Sequence, residues 1–161
     1  MPVKRFIILL VIFLEAAIVH AQPLKVMDFK ELDAVLTRPD DTLRIVNFWA
    51  TWCKPCVGEL PYFVTVQKEK QDQKIQFIFV SLDFLSQTQK VKDVITQLGL
   101  TGMLIQLNEK NGGWIDLLDK NWGGAIPYTI AISPHNKRMQ HYEAFNSLEE
   151  LKFFIDTNIS N

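Results

Sequence analysis

The only two cysteines in the chain, Cys53 and Cys56, stand three positions apart at the junction of two unlike stretches. Residues 43–50 (LRIVNFWA) carry the β-branched and aromatic side chains of a buried strand, whereas residues 57–70 read as a helix interrupted or bent near Pro61. Unpaired N–H groups and the positive end of the helix dipole favour an anion at such a helix start. A cysteine there gives up its proton more readily, and the thiolate is the nucleophile. Cys53 is therefore expected to be the attacking thiol, exposed at the helix tip. Cys56, about one turn further in, is expected to be more buried and to resolve a mixed disulfide. Pro55 fits the first turn, whose N–H groups lack helical partners in any case. Lys54 sets a positive charge beside the thiolate, so Lys54 and Pro55 are the expected tuning residues.

Other uses of the pair fare worse. A structural staple across so short a loop would constrain the unfolded chain by only about 2 kcal/mol. A zinc site usually takes four Cys or His ligands. No second C-x-x-C is present, and His135 and His141 stand at spacings that match no zinc pattern. Two unrelated buried thiols are the remaining alternative. A redox-active dithiol is the leading reading.

At the N-terminus, Lys4 and Arg5 precede the apolar run 6–14, and Val19-His20-Ala21 has the small-x-small form of a cleavage site. The run is too short to span a bilayer, and Glu15 interrupts its continuation. Residues 1–21 are thus read as a signal peptide and 22–161 as one domain, with an uncleaved membrane anchor as the alternative. No cysteine follows the run closely, which disfavours a lipid anchor. The chain holds 17 basic and 18 acidic residues, and removing Lys4, Arg5 and Glu15 leaves a small negative charge. That balance speaks against nucleic-acid and anionic-membrane binding. In an oxidising, periplasm-like compartment, a dithiol that acts as a reductant must be supplied with electrons by a partner.

Residues 27–37 place Phe29, Leu32, Val35 and Leu36 on one helical face with Asp28 as cap, and 38–41 form a turn. Residues 75–82 (IQFIFVSL) read as a strand covered on both faces. A helix is expected over 87–98, ending at Gly99, then a short strand at 103–107 and a short helix at 114–118. Residues 128–133 and 139–144 read as a hairpin around the turn 134–137. Ser147 caps a last helix with Leu148, Leu151, Phe154 and Ile155 on its apolar face. Alternating strands and helices ending in a hairpin and a helix define a three-layer α/β/α domain.

With these elements in place, the chain resembles the thioredoxin superfamily, and within it the exported TlpA/ResA-like branch. The resemblance is carried by residues 46–56 (VNFWATWCKPC), by Glu59-Leu60-Pro61 and by Ile126-Pro127-Tyr128-Thr129. It implies a thioredoxin-like fold with a central mixed sheet, and residues 83–124 are long enough for the extra strand–helix insertion of that branch. It implies thiol–disulfide exchange at Cys53 and Cys56, with a cis bond before Pro127. Ile126 would then pair through its backbone with the substrate chain, and Trp52, Ile126 and Tyr128 would edge a shallow apolar groove, with ordinary packing as the alternative for each. Asn47 stands where thioredoxins proper have a buried aspartate, and a neutral amide cannot shuttle a proton for Cys56. Glu59, one turn beyond Cys56 on the same helical face, is the expected replacement, against a solvated surface glutamate as the alternative. Trp114 and Trp122 are expected to pack in the core.

The resulting expectation is an exported thiol–disulfide oxidoreductase, a reductase of protein disulfides fed by a membrane electron donor, with a soluble mature chain. Its dithiol would be its only cofactor; no metal or nucleotide motif is present. The alternatives are a disulfide oxidase or isomerase, a thiol peroxidase, and, from a different class, a copper-binding metallochaperone.

Overall fold

The computed structural model describes residues 23–159, so the expected leader lies outside the described residues. In chain order the elements are β1 (Lys25–Met27), α1 (Phe29–Leu36), β2 (Leu43–Trp49), α2 (Lys54–Glu69) and β3 (Ile75–Ser81). They continue with α3 (Thr88–Leu98), β4 (Met103–Leu107), α4 (Gly113–Leu118), β5 (Tyr128–Ile132), β6 (Arg138–His141) and α5 (Leu148–Ile159). A short 3₁₀ turn, Leu85–Gln87, precedes α3.

The strands form one mixed sheet in the order β1-β4-β3-β2-β5-β6. The pairs β1–β4, β4–β3 and β3–β2 are parallel, while β2–β5 and β5–β6 are antiparallel. The two most apolar runs, β2 and β3, therefore each have a strand on both sides, and β2 is buried along its whole length. Its side chains alternate between two cores. Ile45 and Trp49 pack with Leu60, Phe63, Leu151 and Ile155 of α2 and α5. Val46 and Phe48 pack with Leu32 and Leu36 of α1 and Trp114 of α4. Helices thus cover both faces, and the three-layer α/β/α expectation holds. Residues 83–124 hold α3, β4 and α4, and β4 separates β1 from β3.

Local chemistry sets the element ends. Asp28 accepts from Glu31 N at 2.8 Å while the Glu31 side chain accepts from Asp28 N at 2.9 Å, a reciprocal cap for α1. Gly99 closes α3 in the left-handed region at φ 63°, where a side chain would be strained. Ser147 Oγ accepts from Glu150 N at 3.2 Å at the head of α5. Helix α2 is not interrupted at Pro61; it runs on to Glu69 with Pro61 inside it. The ring there removes only the one N–H that would have bonded Val57. Strand β1 was not legible in the sequence, because three edge residues with Lys25 and Val26 exposed carry no alternation.

Candidate active site

Helix α2 starts at the C-terminal end of β2, and its cap residue is Cys53. Cys53 and Cys56 are joined by a disulfide. Cys56 N lies 3.3 Å from Cys53 Sγ and donates toward it. In the reduced protein that N–H, at the positive end of α2, is placed to face a thiolate on Cys53. Cys56 is fully buried and Cys53 is 6 % exposed, so only Cys53 of the pair keeps a solvent-facing edge. The expected order of burial is present, yet Cys53 is more enclosed than a helix tip suggests. Lys54 and Pro55 are both exposed in the first turn.

The Ile126–Pro127 peptide bond is cis, as the resemblance implied. Ile126 O lies 3.7 Å from Cys53 Sγ, which brings this loop against the dithiol. Ile126 is half-buried and Pro127 is buried, while Trp52 stands 67 % exposed beside Cys53. Tyr128 does not edge a groove. It is fully buried, stacks on Trp122 at 4.4 Å between ring centroids and donates its hydroxyl to Asp119 Oδ2 at 2.9 Å. As the first residue of β5 it points into the core with Phe48, alongside Trp114 and Trp122, which pack there as expected.

Glu59 is buried inside α2, which excludes a surface glutamate. Its Oε1 accepts from Asn47 Nδ2 at 2.8 Å and its Oε2 from Phe145 N at 2.8 Å. Burial pushes its pKa up to about 7; the bonds from Phe145 and Asn47 oppose that rise, and nearby Glu150 adds to it. Asn47 also donates to Thr129 Oγ1 at 2.9 Å, so one buried amide ties β2, α2 and β5 together. The sequence pointed to Glu59 as the replacement for an acid at position 47, but it showed neither the Asn47 bond nor the Phe145 backbone, which arrives from 86 positions away.

A second polar anchor was missed. Asp83, buried just past β3, accepts from Thr51 N at 2.9 Å, Thr51 Oγ1 at 2.6 Å and Ser81 Oγ at 2.8 Å. It holds the loop that leads into Trp52 and Cys53. The available signal was its position: in a parallel pair, residues leaving the C-terminal ends of both strands meet at one edge. Among the described residues, no group of three or more His, Cys, Asp or Glu side chains is placed to hold a metal ion. No helix among them is long and apolar enough to cross a membrane.

A mixed sheet between two helical layers, with a disulfide at the head of α2 and a cis-proline loop against it, defines a thioredoxin-like fold. The chain belongs to the AhpC/TSA family, whose family model matches residues 24–158. It is 31 % identical over 113 residues to the thiol-disulfide oxidoreductase ResA of Oceanobacillus iheyensis, an alignment covering 70 % of this chain and 55 % of that one. It is 36 % identical over 111 residues to the ResA of Bacillus thuringiensis strain Al Hakam, covering 68 % and 60 % respectively. The matched segments thus span less than two thirds of these relatives' lengths. Among solved structures, a thioredoxin-family thiol:disulfide interchange protein from Chlorobium tepidum superposes with a TM-score of 0.64 at 22 % identity, covering 79 % of this chain and 84 % of that one. A thioredoxin-related protein from Neisseria meningitidis serogroup B gives 0.62 at 22 % identity, covering 76 % and 88 %. These superpositions establish the fold.

Proposed function

We propose that this protein is an exported thiol–disulfide oxidoreductase that reduces disulfides in other proteins. The observation that carries the reading is the Cys53–Cys56 disulfide at the head of α2, with an N–H directed at Cys53 Sγ and only Cys53 reaching solvent. The naming of the ResA relatives as thiol-disulfide oxidoreductases supports it.

In the reduced protein, the Cys53 thiolate attacks one sulfur of a substrate disulfide. A Cys53–substrate disulfide forms and the other substrate sulfur leaves as a thiolate that takes up a proton. Cys56 then loses its proton and attacks Cys53 Sγ, closing the Cys53–Cys56 bond and releasing the second substrate thiol. The substrate gains two electrons and two protons, and this chain is oxidised by two electrons. Glu59 is the residue assigned to take the Cys56 proton, since a carboxyl whose pKa lies near 7 exchanges protons readily at neutral pH. Ile126 supplies the backbone edge for the substrate chain, beside Trp52 and Pro127, and Lys54 and Pro55 tune the thiolate.

The dithiol itself carries the electrons, with no further cofactor. The reduced form is regenerated by a membrane-borne dithiol or equivalent two-electron donor. The export reading rests on the pattern of residues 1–21, and an oxidising compartment makes such a donor necessary.

Insulin reduction by the dithiothreitol-recycled protein tests the activity. Turnover that disappears in Cys53→Ala supports it. Absent turnover with insulin, together with rapid reduction of hydrogen peroxide, would replace it with a thiol peroxidase.

A further inference from the structure

Strands β2 and β3 run parallel with Trp49 beside Ser81, so the segments leaving their C-terminal ends continue side by side. Leu82 N donates to Trp49 O at 2.8 Å, and the Asp83 carboxylate receives both Thr51 N and Thr51 Oγ1. The next residue on each segment is a large apolar side chain in solvent. Trp52 is 67 % exposed and Phe84 is 81 % exposed.

Scattered apolar residues on a surface are ordinary. Phe84 differs in how its backbone is held. Gln106, fully buried in β4, donates through Nε2 to Asp83 O at 3.2 Å and to Phe84 O at 3.0 Å. Its Oε1 accepts from Thr88 Oγ1 at 2.8 Å. A glutamine in the middle of a sheet thus commits its whole amide to fixing the turn that projects a phenylalanine into water. The same amide anchors Thr88 at the head of α3, but Phe84 itself belongs to neither apolar core among the described residues.

We propose that Phe84 is a specificity-determining residue of the exchange reaction. Its ring receives an apolar side chain flanking the cysteine of an extended, disulfide-bearing protein segment docked at Cys53. The inference rests on the proposed oxidoreductase reading and adds the substrate's character: a disulfide with apolar neighbours. The part-buried Thr51–Asp83 clamp ties the segment bearing Trp52, next to Cys53, to the segment bearing Phe84. An aromatic ring on a fixed backbone offers contact area with little ordering cost on binding. A small disulfide that reaches only Cys53 gains nothing from it.

The test compares two synthetic peptide disulfides that differ only in carrying Leu or Ser at both positions flanking the cysteine, with hydroxyethyl disulfide as the small probe. Wild-type protein is expected to show a kcat/KM about tenfold higher for the Leu peptide, corresponding to about 1.4 kcal/mol. Phe84→Ser is expected to reduce that ratio to about twofold or less through KM, while Phe84→Trp retains it. The rate with hydroxyethyl disulfide should stay within about twofold in both variants. A Leu-to-Ser ratio unchanged in Phe84→Ser, or equal slowing with all three substrates, overturns the proposal while leaving the activity standing. Failure of the wild-type protein to exchange with any of them overturns the oxidoreductase reading and this inference together.

Discussion

Asn47 Nδ2 donates to Glu59 Oε1 at 2.8 Å in the core, so a neutral amide orients the acid expected to serve Cys56. Asn47 Oδ1 has no hydrogen-bond partner among the described residues. Rotating the amide by half a turn would present that oxygen to a protonated Glu59 and to the Thr129 hydroxyl. Asn47 can therefore face both protonation states of Glu59 without itself ionising, whereas an aspartate at the same position would have to share a proton with Glu59.

The first prediction concerns pH. Folding raises the Glu59 pKa from 4.5 to about 7, so between those values the native state holds a proton that the unfolded chain has released. Stability therefore falls as pH rises through this window and levels off above it, by roughly 3 kcal/mol at about 1.36 kcal/mol per pH unit. Glu59→Gln should remove this slope, since rotation of Asn47 satisfies the new amide. Urea denaturation from pH 4 to 8 measures it. Parallel stability profiles for the two proteins would show that Glu59 titrates normally. The same variant should slow exchange and shift the pH profile of thiol alkylation.

Division of labour between the sulfurs follows from their burial. With Cys53 at the solvent edge and Cys56 enclosed, Cys56→Ala should attack substrates but fail to resolve, and mixed disulfides should accumulate on Cys53. Mass spectrometry of the trapped species reads this directly. Trapping by Cys53→Ala and none by Cys56→Ala would reverse the assignment.

Asp83 offers a test of the loop. Its carboxylate accepts three hydrogen bonds, two of them from Thr51. Asp83→Ala leaves the Thr51 N–H unpartnered and should destabilise the protein by about 3 kcal/mol. Asp83→Asn, which keeps an acceptor, should lose less. Chemical denaturation gives both numbers. Equal losses in the two variants would mean that packing, and not the hydrogen bonds, holds the loop.

The last prediction is the redox potential. Lys54 favours the thiolate and so the reduced form, but it is exposed at the head of α2, where solvent screens its field. Its effect should be small against the range from about −270 mV in thioredoxin to about −120 mV in DsbA. A value nearer the thioredoxin end is expected, in keeping with a reductase. Equilibration in dithiothreitol buffers, followed by fluorescence of Trp49 and Trp52, provides the measurement. A value near −120 mV would favour the oxidase alternative with the same residues.

Much of this site was legible because its chemistry is local. Cys53, Lys54, Pro55, Cys56 and Glu59 lie within two turns of one helix, so their spacing in sequence is also their spacing on a face. The edge strand β1 escaped because its three residues acquire a strand's geometry only by pairing with β4, far along the chain. Tyr128 was misplaced at a groove edge because its neighbour Pro127 lies at the dithiol. The two-residue alternation of β5 turns Tyr128 inward, toward Asp119.

By itself the sequence determined the α/β order, the strand-to-helix placement of the C-x-x-C pair and the neutral residue at position 47. Each of these depends on propensity, periodicity or identity within a short window. Only the tertiary structure decided that Glu59 is buried with its pKa near 7, that Asp83 grips Thr51, and that Gln106 fixes the turn bearing Phe84. The physical reason is common to all three. A desolvation shift or a buried hydrogen bond depends on what surrounds a group, and here the surroundings come from segments distant in the chain but adjacent in the fold.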